Sequence, residues 1–433
     1  MTDMAERPAY TRQAGAGLLN GETAYVGNGR RQDDVTWLLE QIVDRAKRPL
    51  TEMQALPAEY YASEALYALE QERIFQRDWL YVCRADEISR PGDWYSVQIA
   101  GEPVMIVRGA DSKIRALSRA CPHRFMDVLG EEDDGKQRYG NKEGGFVCPY
   151  HSWAFGLDGK LTGAPLMSRS ELFERERNNY CLESYSTEVW HGFIFVNFDE
   201  DAAPLAPRLA SMEELLAPYR LDEWRVMERI DWPELPVSWR VVMDNGRECY
   251  HHQGSHRVSV EPLWPSNLVD ADTNDDDSFY WERLFVAPDA AIGEEDGHPI
   301  QPVMLPPLEG LTPYQRSHSL LVGVYPTMWF TPSPDVMFVA KWWPTGPQSH
   351  KFQLDVCVHE AQLDNPELKK AVSDARDWGY QIQVEDSRSC AGIQRMLHSR
   401  AANRAGGGAL SHLERPVWQF QKYMANRLAD ANL

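Results

Sequence analysis

The sequence has no long apolar run. No window reaches the roughly 18 consecutive apolar residues of a membrane-spanning helix, so no membrane association is expected. The opening MTDMAERPAY lacks a basic region followed by an apolar stretch, and no signal peptide is read there. Cysteine is sparse and odd in number: Cys83, Cys121, Cys148, Cys181, Cys249, Cys357 and Cys390. Seven scattered thiols do not make a disulfide framework; they suit a reducing compartment, and a cytoplasmic setting is expected. Positive charge is short as well, with 44 Lys and Arg against 65 Asp and Glu and a net charge of −21. Such a chain repels nucleic acid and anionic surfaces, so no nucleic-acid partner is expected. No G-x-G-x-x-G follows a strand, and no C-x4-C-x2-C run occurs. The chain therefore brings no nicotinamide or flavin fingerprint and no plant-type ferredoxin cluster of its own.

What is present is length and apolar mass. The 433 residues, 43% hydrophobic and with 15 Trp, exceed one ordinary core and point to two domains. Residues 1–57 are polar, rich in Gly, Pro and Arg, and read as an arm with a short helix near Val35–Arg45. Leu66, Leu69, Ile74 and Trp79 recur at helical spacing and predict a helix over 63–79. From about 81 to 198, β-branched and aromatic runs alternate with Gly, Asp and Pro turns, the texture of a small all-β domain. Residues 131–145 interrupt it without apolar periodicity and read as an exposed loop insertion. Beyond 200 the texture is mixed. Helices are expected at 210–219, 238–252, 365–400 and 412–427, and strands near 225, 279–286, 318–330, 336–343 and 351–359. The stretch 287–312 is rich in Pro, Gly and acid, and reads either as a lid or as a plain insertion.

Two clusters carry chemistry. The first is Cys121-Pro122-His123 and Cys148-Pro149-Tyr150-His151, in the order C-x-H … C-x-x-H beside strands. Two thiolates and two imidazoles on adjacent turns hold a metal. Zinc sites usually open with two cysteines two to four residues apart. A Rieske [2Fe-2S] centre instead takes two Cys on one iron and two His on the other, which suits one Cys and one His per loop. The stretch Ala120–Arg124 with Cys148–Leu161 (CPYHSWAFGLDGKL) resembles the Rieske domain of the ring-hydroxylating oxygenase large subunits. Trp153, Phe155, Asp158, Gly159 and Leu161 match that family's pattern position by position. One departure is the 24 residues between His123 and Cys148, longer than the family's usual spacing, with 131–145 accounting for the excess.

The second cluster is Trp239–Arg257, WRVVMDNGRECYHHQGSHR, with Glu248, His251, His252 and His256. An iron that activates O2 commonly takes two His and one carboxylate on one face, leaving open positions. Trp378, Ile382, Cys390, Ile393 and Leu397 mark one face of a helix, and Asp386 lies in the middle of that face. A carboxylate there needs a partner or a metal. Glu385 lies off the stripe. His252 and His256, four apart, share a helical face. His251 and His256, five apart, converge only if the helix ends between them, which Gly254 permits. The residue spacing leaves both pairs open. The segment resembles the family's iron motif, an acid three before the first His and a second His five after it. That resemblance implies His251, His256 and Asp386 as ligands, with His252 as runner-up, and Glu248 as the bridging acid.

The same resemblance implies the rest of the expectation. The fold is α+β: a helical segment at 58–84 packing on the catalytic domain, a Rieske domain at 85–195, and a helix-grip catalytic domain with an antiparallel sheet at 196–433. The cofactors are a [2Fe-2S] cluster on Cys121, His123, Cys148 and His151 and a mononuclear Fe(II). The activity is that of a mono- or dioxygenase component using O2. Electrons come from a separate reductase of flavin or ferredoxin type, so NAD(P)H acts only indirectly. A homotrimer is implied, in which a path His151–Glu248–His251 crosses a subunit boundary. Glu at the bridge is similar to the members that act on quaternary or tertiary amines. Tyr325, Trp329, Phe330, Trp342 and Trp343, with Tyr250 and Trp264, are candidate pocket walls for such a cation. Arg247 and Lys341 are the candidates for a substrate carboxylate. The other readings are oxidation of an aromatic compound, and an electron carrier without oxygenase chemistry. His251→Ala is expected to lose mononuclear iron and His252→Ala to keep it; iron content of the purified variants checks this, and the reverse result makes His252 the ligand.

Overall fold

The computed structural model describes residues 34–130, 138–271 and 277–429. The first 33 residues of the expected arm and the start of the 131–145 insertion lie outside that range. The described chain forms two units. Phe75–Arg208 makes one; the segment ending at Ile74 joins Leu209 onward to make the other.

The Phe75–Arg208 unit is all-β in its framework. Its main sheet contains β1 (Leu80–Arg84), β2 (Asp93–Ile99), β3 (Glu102–Arg108), β4 (Ile114–Ser118), β5 (Tyr139–Asn141), β9 (Ser184–Trp190) and β10 (Phe193–Asn197). Their order is β1-β10-β9-β4-β3-β2-β5. A smaller sheet holds β6 (Phe146–Val147), β7 (Ala154–Phe155) and β8 (Leu161–Gly163). Two sequence expectations shift here. Leu80–Arg84 pairs antiparallel with Phe193–Asn197, so its backbone belongs to this sheet and not to the helical segment placed at 58–84. Residues 139–141, expected as loop, pair with β2 and close that edge of the sheet.

The other unit is an antiparallel sheet with helices. Its strands are β11 (Trp224–Asp231), β12 (Val269–Ala271), β13 (Phe279–Phe285), β16 (His318–Val324), β17 (Met328–Thr331), β18 (Val336–Gly346) and β19 (Ser349–His359). They run in the order β11-β19-β18-β17-β16-β13-β12. The strand expected over 318–330 is a hairpin, because Tyr325-Pro326-Thr327 turns the chain and Pro cannot donate to a ladder. The region 287–312 holds a small hairpin, β14 (Gly293–Glu295) with β15 (His298–Ile300). The helix expected at 210–219 breaks into short turns, including Glu213–Leu216.

Helices hold this sheet. They include α1 (Val35–Ala46), α2 (Glu64–Glu70), α3 (Trp239–Asn245), α4 (His252–Ser255), α5 (Leu368–Met396) and α6 (Arg415–Leu428). The helix expected over 63–79 ends early. After α2 comes a π-helical turn, Gln71–Phe75, and the strand β1 soon follows. In α5, Ala371, Ala375 and Gly379 recur every four residues, and all are buried. A Cβ at Gly379 would lie 2.9 Å from Leu354 Cδ2 and 3.0 Å from Phe338 Cε1, so the small residue lets the helix approach the sheet. Ala371 and Ala375 pack with Val336, Val356 and Val358 of the sheet.

The segment before Ile74 is tied to α3 by charge. Arg240 and Glu70 are both fully buried and pair twice, Nε to Oε1 at 2.6 Å and Nη2 to Oε2 at 2.7 Å. Trp239 Nε1 donates to Glu70 at 2.9 Å, and Arg240 Nη1 donates to the Tyr60 carbonyl at 3.0 Å. Removing one partner leaves an uncompensated buried charge, so Glu70→Ala is expected to cost about 3–5 kcal/mol. Urea unfolding followed by circular dichroism measures it, and a loss below about 1 kcal/mol makes the pair dispensable.

Candidate functional site

In the Phe75–Arg208 unit, two loops of the same design carry the first ligand set. In one, Phe125 N–H donates to the Cys121 carbonyl at 2.8 Å; in the other, Ser152 N–H donates to the Cys148 carbonyl at 3.0 Å. The fourth residue after each cysteine is left-handed, Phe125 at φ 62° and Ser152 at φ 58°. Each cysteine N–H is also satisfied, Cys121 by Met126 O and Cys148 by Trp153 O, both at 2.8 Å. The cysteines lie at the buried base of the loops and the histidines nearer the surface. His123 and His151 have ring centroids 4.7 Å apart. Trp153 stacks on His123 at 4.6 Å with the planes 4° apart, and is backed by Phe173 and Tyr180. Gly159, at φ 80°, turns against Leu117 and the Leu182 carbonyl, where a side chain would not fit. Burial, with Cys148 beside it, pushes the Cys121 thiol up to about 11. Two thiols at a dry base and two imidazoles toward the surface fit the donor set of a [2Fe-2S] cluster with Cys on one iron and His on the other.

In the other unit, the helix expected over 238–252 breaks. α3 ends at Asn245, and a single turn, α4, spans His252–Ser255 with His251 before it and His256 after it. The interruption lets residues five apart converge, with rings 4.9 Å apart. His251, His256 and Asp386 each offer one ligand atom, all within 4.8 Å of one another. Each imidazole is held from behind. His251 Nδ1 is 2.7 Å from Glu248 Oε1, and His251 N–H donates to Glu248 Oε2 at 3.0 Å. His256 Nδ1 is 2.7 Å from Glu385 Oε2, and Gln381 and Ser259 also donate to Glu385. With Nδ1 engaged, both Nε2 atoms face Asp386 Oδ1, at 3.4 Å from His251 and 3.0 Å from His256. A carboxylate behind a ligating imidazole fixes its tautomer and direction.

The electrostatics follow from the crowding. Burial opposes charge on His251, but hydrogen bonds to Asp386 and Glu248 overcome it and lift the imidazole to about 10. Burial would raise Asp386, yet the two imidazoles hold it well below the usual carboxylate range. Two imidazoles and a carboxylate around one small space, on a single side, are a donor set for Fe(II) with open positions. His252 lies outside the trio. Burial and the neighbouring histidines push it down to about 3, and its Nδ1 is 3.4 Å from the Trp264 carbonyl. Glu385, the weaker candidate carboxylate from the sequence because it lies off the stripe, is buried and holds His256. Ile393, assigned to the buried stripe, is 47% exposed.

A cavity of about 140 Å3 opens beside the trio. Trp329, Phe338, Trp342 and Phe352 from the sheet and Trp264 and Trp378 opposite supply its aromatic lining. They touch in chains: Trp342 is 5.0 Å from Phe352 and 5.9 Å from Trp329, and Trp264 is 5.4 Å from Trp378. Of the walls expected from sequence, Trp264, Trp329 and Trp342 line it. Tyr325 instead packs on Tyr280, Phe420 and Tyr423, and Tyr250 is half-exposed. Phe330 and Trp343 are buried away from the lining. Neither candidate cation lines the cavity. Arg247 sits 3.6 Å over Phe420 and donates to the Pro326 carbonyl, and Lys341 sits over Trp343. No helix among the described residues is long and apolar enough to cross a membrane.

Comparison with known proteins follows the same division. Residues 78–186 match the Rieske [2Fe-2S] domain, and residues 221–430 the ring hydroxylating alpha subunit (catalytic domain). The chain is 32% identical over 215 residues to the carnitine monooxygenase oxygenase subunit of Acinetobacter baumannii, 48% of this chain and 55% of that protein. It is 30% identical over 209 residues to the glycine betaine monooxygenase oxygenase subunit of Pseudomonas aeruginosa, 48% of this chain and 46% of that protein. The matches thus span about half the length of these curated relatives. Among solved structures, a quaternary ammonium Rieske monooxygenase described in terms of carnitine oxidation and inter-subunit electron transfer shares the fold. Its TM-score is 0.72 at 23% identity, covering 88% of this chain and 97% of that one.

Glu385→Ala is expected to weaken mononuclear iron binding about 10–100-fold while leaving the visible absorbance of the cluster unchanged. Iron content after dialysis against a graded chelator measures it; unchanged retention would mean that Glu385 does not support His256.

Proposed function

The chain carries a Rieske [2Fe-2S] domain and a ring-hydroxylating alpha-subunit catalytic domain, and from that premise we propose that it is the terminal oxygenase component of a multicomponent Rieske non-heme iron oxygenase. Its reaction on this reading is hydroxylation or N-demethylation of a small amine. The observation that carries it is the trio His251, His256 and Asp386, backed by carboxylates and opening on an aromatic cavity. In this reading Cys121 and Cys148 hold one iron of the cluster and His123 and His151 the other, while the trio holds Fe(II). When bound, these groups supply electron storage and O2 chemistry.

The chain's own residues do the rest. Glu248 and Glu385 fix the two imidazoles, so their Nε2 atoms stay directed at the metal position. The aromatic walls exclude water and offer faces to an ammonium group, which aromatic rings attract. The relatives named for carnitine and glycine betaine support an amine substrate. A bare electron carrier would have no use for a cavity beside the trio. Aromatic oxidation stays the second reading, because the lining is apolar enough for a ring.

Electrons have to come from a separate reductase, since the sequence has no nicotinamide or flavin fingerprint. We place the acidic bridge at Glu248, between His151 of one subunit and His251 of the next in a homotrimer. The half-exposed Tyr150 and Tyr250, next to His151 and His251 in sequence, suit such a junction. The seven cysteines form no disulfide with one another, which suits the reducing cytoplasm.

Supplied with reductase, NADH and an N-methylated amine, the protein is expected to consume O2 and release formaldehyde. Glu248→Gln is expected to keep both metal centres and to lose about 10–100-fold in coupled turnover. Metal analysis with parallel formaldehyde and O2 assays checks both; full activity in Glu248→Gln would remove the bridge, and no substrate-dependent formaldehyde would remove demethylation.

A further inference from the structure

The relatives named for carnitine and glycine betaine take substrates that carry both a quaternary ammonium and a carboxylate. The cavity here has no counterpart for the second group. Among the described residues that line it there is no Lys or Arg. The two cations that were candidates for a carboxylate, Arg247 and Lys341, are buried elsewhere, over Phe420 and Trp343. Asp386 of the trio and Glu248 behind it also line the cavity and add negative charge. A carboxylate taken into this space would be desolvated without a partner, which is costly.

One lining group does seek a hydrogen bond. His350, in β19, is 1% exposed and lines the cavity. Its Nδ1 is 2.8 Å from the Val237 carbonyl, so that nitrogen carries the proton and donates. Nε2 is then a lone-pair acceptor, and it has no partner among the described residues. Burial pulls the imidazole down to about 4, so it stays neutral and keeps that lone pair. Three other acceptors of the lining already hold partners. Asn245 Oδ1 accepts from Cys390, Thr331 Oγ1 accepts from the Phe338 N–H, and Ser319 Oγ bonds Gln301 and Ser333. A neutral acceptor among aromatic faces matches an ammonium that still bears a hydrogen.

We infer that the cavity selects a protonated tertiary amine without a carboxylate, with its N–H donating to His350 Nε2 and its N-methyl groups against the aromatic walls. A quaternary ammonium has no such hydrogen, and a betaine brings a carboxylate that the lining leaves unpaired. His350 is therefore a specificity residue. The inference rests on reading this cavity as the substrate site of the proposed oxygenase.

The test is calorimetric titration of the iron-loaded protein at neutral pH with three matched compounds: N,N-dimethylbenzylamine, N,N,N-trimethylbenzylammonium, and the para-carboxylate of the first. The tertiary amine is expected to bind about tenfold or more tighter than either of the others, the range of a hydrogen bond to a charged group. His350→Asn keeps a donor for Val237 but removes the distal acceptor, and is expected to erase the preference for the tertiary over the quaternary compound. His350→Gln reaches to the Nε2 position and is expected to retain it. Equal or tighter binding of the quaternary or carboxylated compound by the native protein overturns the inference. So does an equal loss for all three compounds in His350→Asn, which would make the residue merely structural. Formaldehyde release is read separately: binding in the expected order without it supports this selectivity and overturns only the demethylation reading.

Discussion

The catalytic unit depends on a pair of hydrogen bonds that leave each imidazole one free nitrogen. His251 and His256 have Nδ1 engaged, by Glu248 and Glu385, each at 2.7 Å. Only then do two Nε2 atoms point at the same Asp386 oxygen. Much of the local backbone serves that arrangement. α3 must stop at Asn245 and α4 must last a single turn, or residues five apart would diverge around a helix. α5 must carry Asp386 and Glu385 side by side, one toward the trio and one behind His256. The small residues Ala371, Ala375 and Gly379 let that helix lie close on the sheet.

The two candidate metal-binding constellations use different local physics. The loops of Cys121 and Cys148 are repeats of one backbone device, a carbonyl bonded to the N–H four residues on, with a left-handed residue at that position. They are local structures, nearly complete in their own sequence. The trio His251, His256 and Asp386 is assembled from distant parts, 130 residues separating His256 from Asp386. A local device tolerates a long intervening segment, and the extra residues between His123 and Cys148 leave both loops intact.

The cavity joins the trio to a chemical preference. Its walls come from alternate residues of paired strands, such as Trp342 opposite Phe352, and from one face of α5. Aromatic faces, acids near the metal position and a neutral histidine make a space for a cation with little else. The positively charged side chains that sequence made candidates are drawn into aromatic stacks in the core, where Arg247 lies over Phe420.

The sequence alone carries what local spacing encodes. The C-x-H and C-x-x-H loops, the all-β texture around them, the acid and histidines of 248–256 and the amphipathic helix bearing Asp386 were all legible. Each is a short-range pattern with a chemical reason. Spacing left His251 and His252 open, and that depended on where a helix breaks. Glu385 ranks as the weaker carboxylate from sequence because a helical stripe records which side faces the core, not which neighbour a side chain reaches. The wall residues Phe338, Phe352 and His350 gave no signal, since in a strand they look like any other core position. Only the tertiary structure decided which of them meet around the trio, because strand register and helix placement bring together residues whose separation in sequence carries no information about their distance.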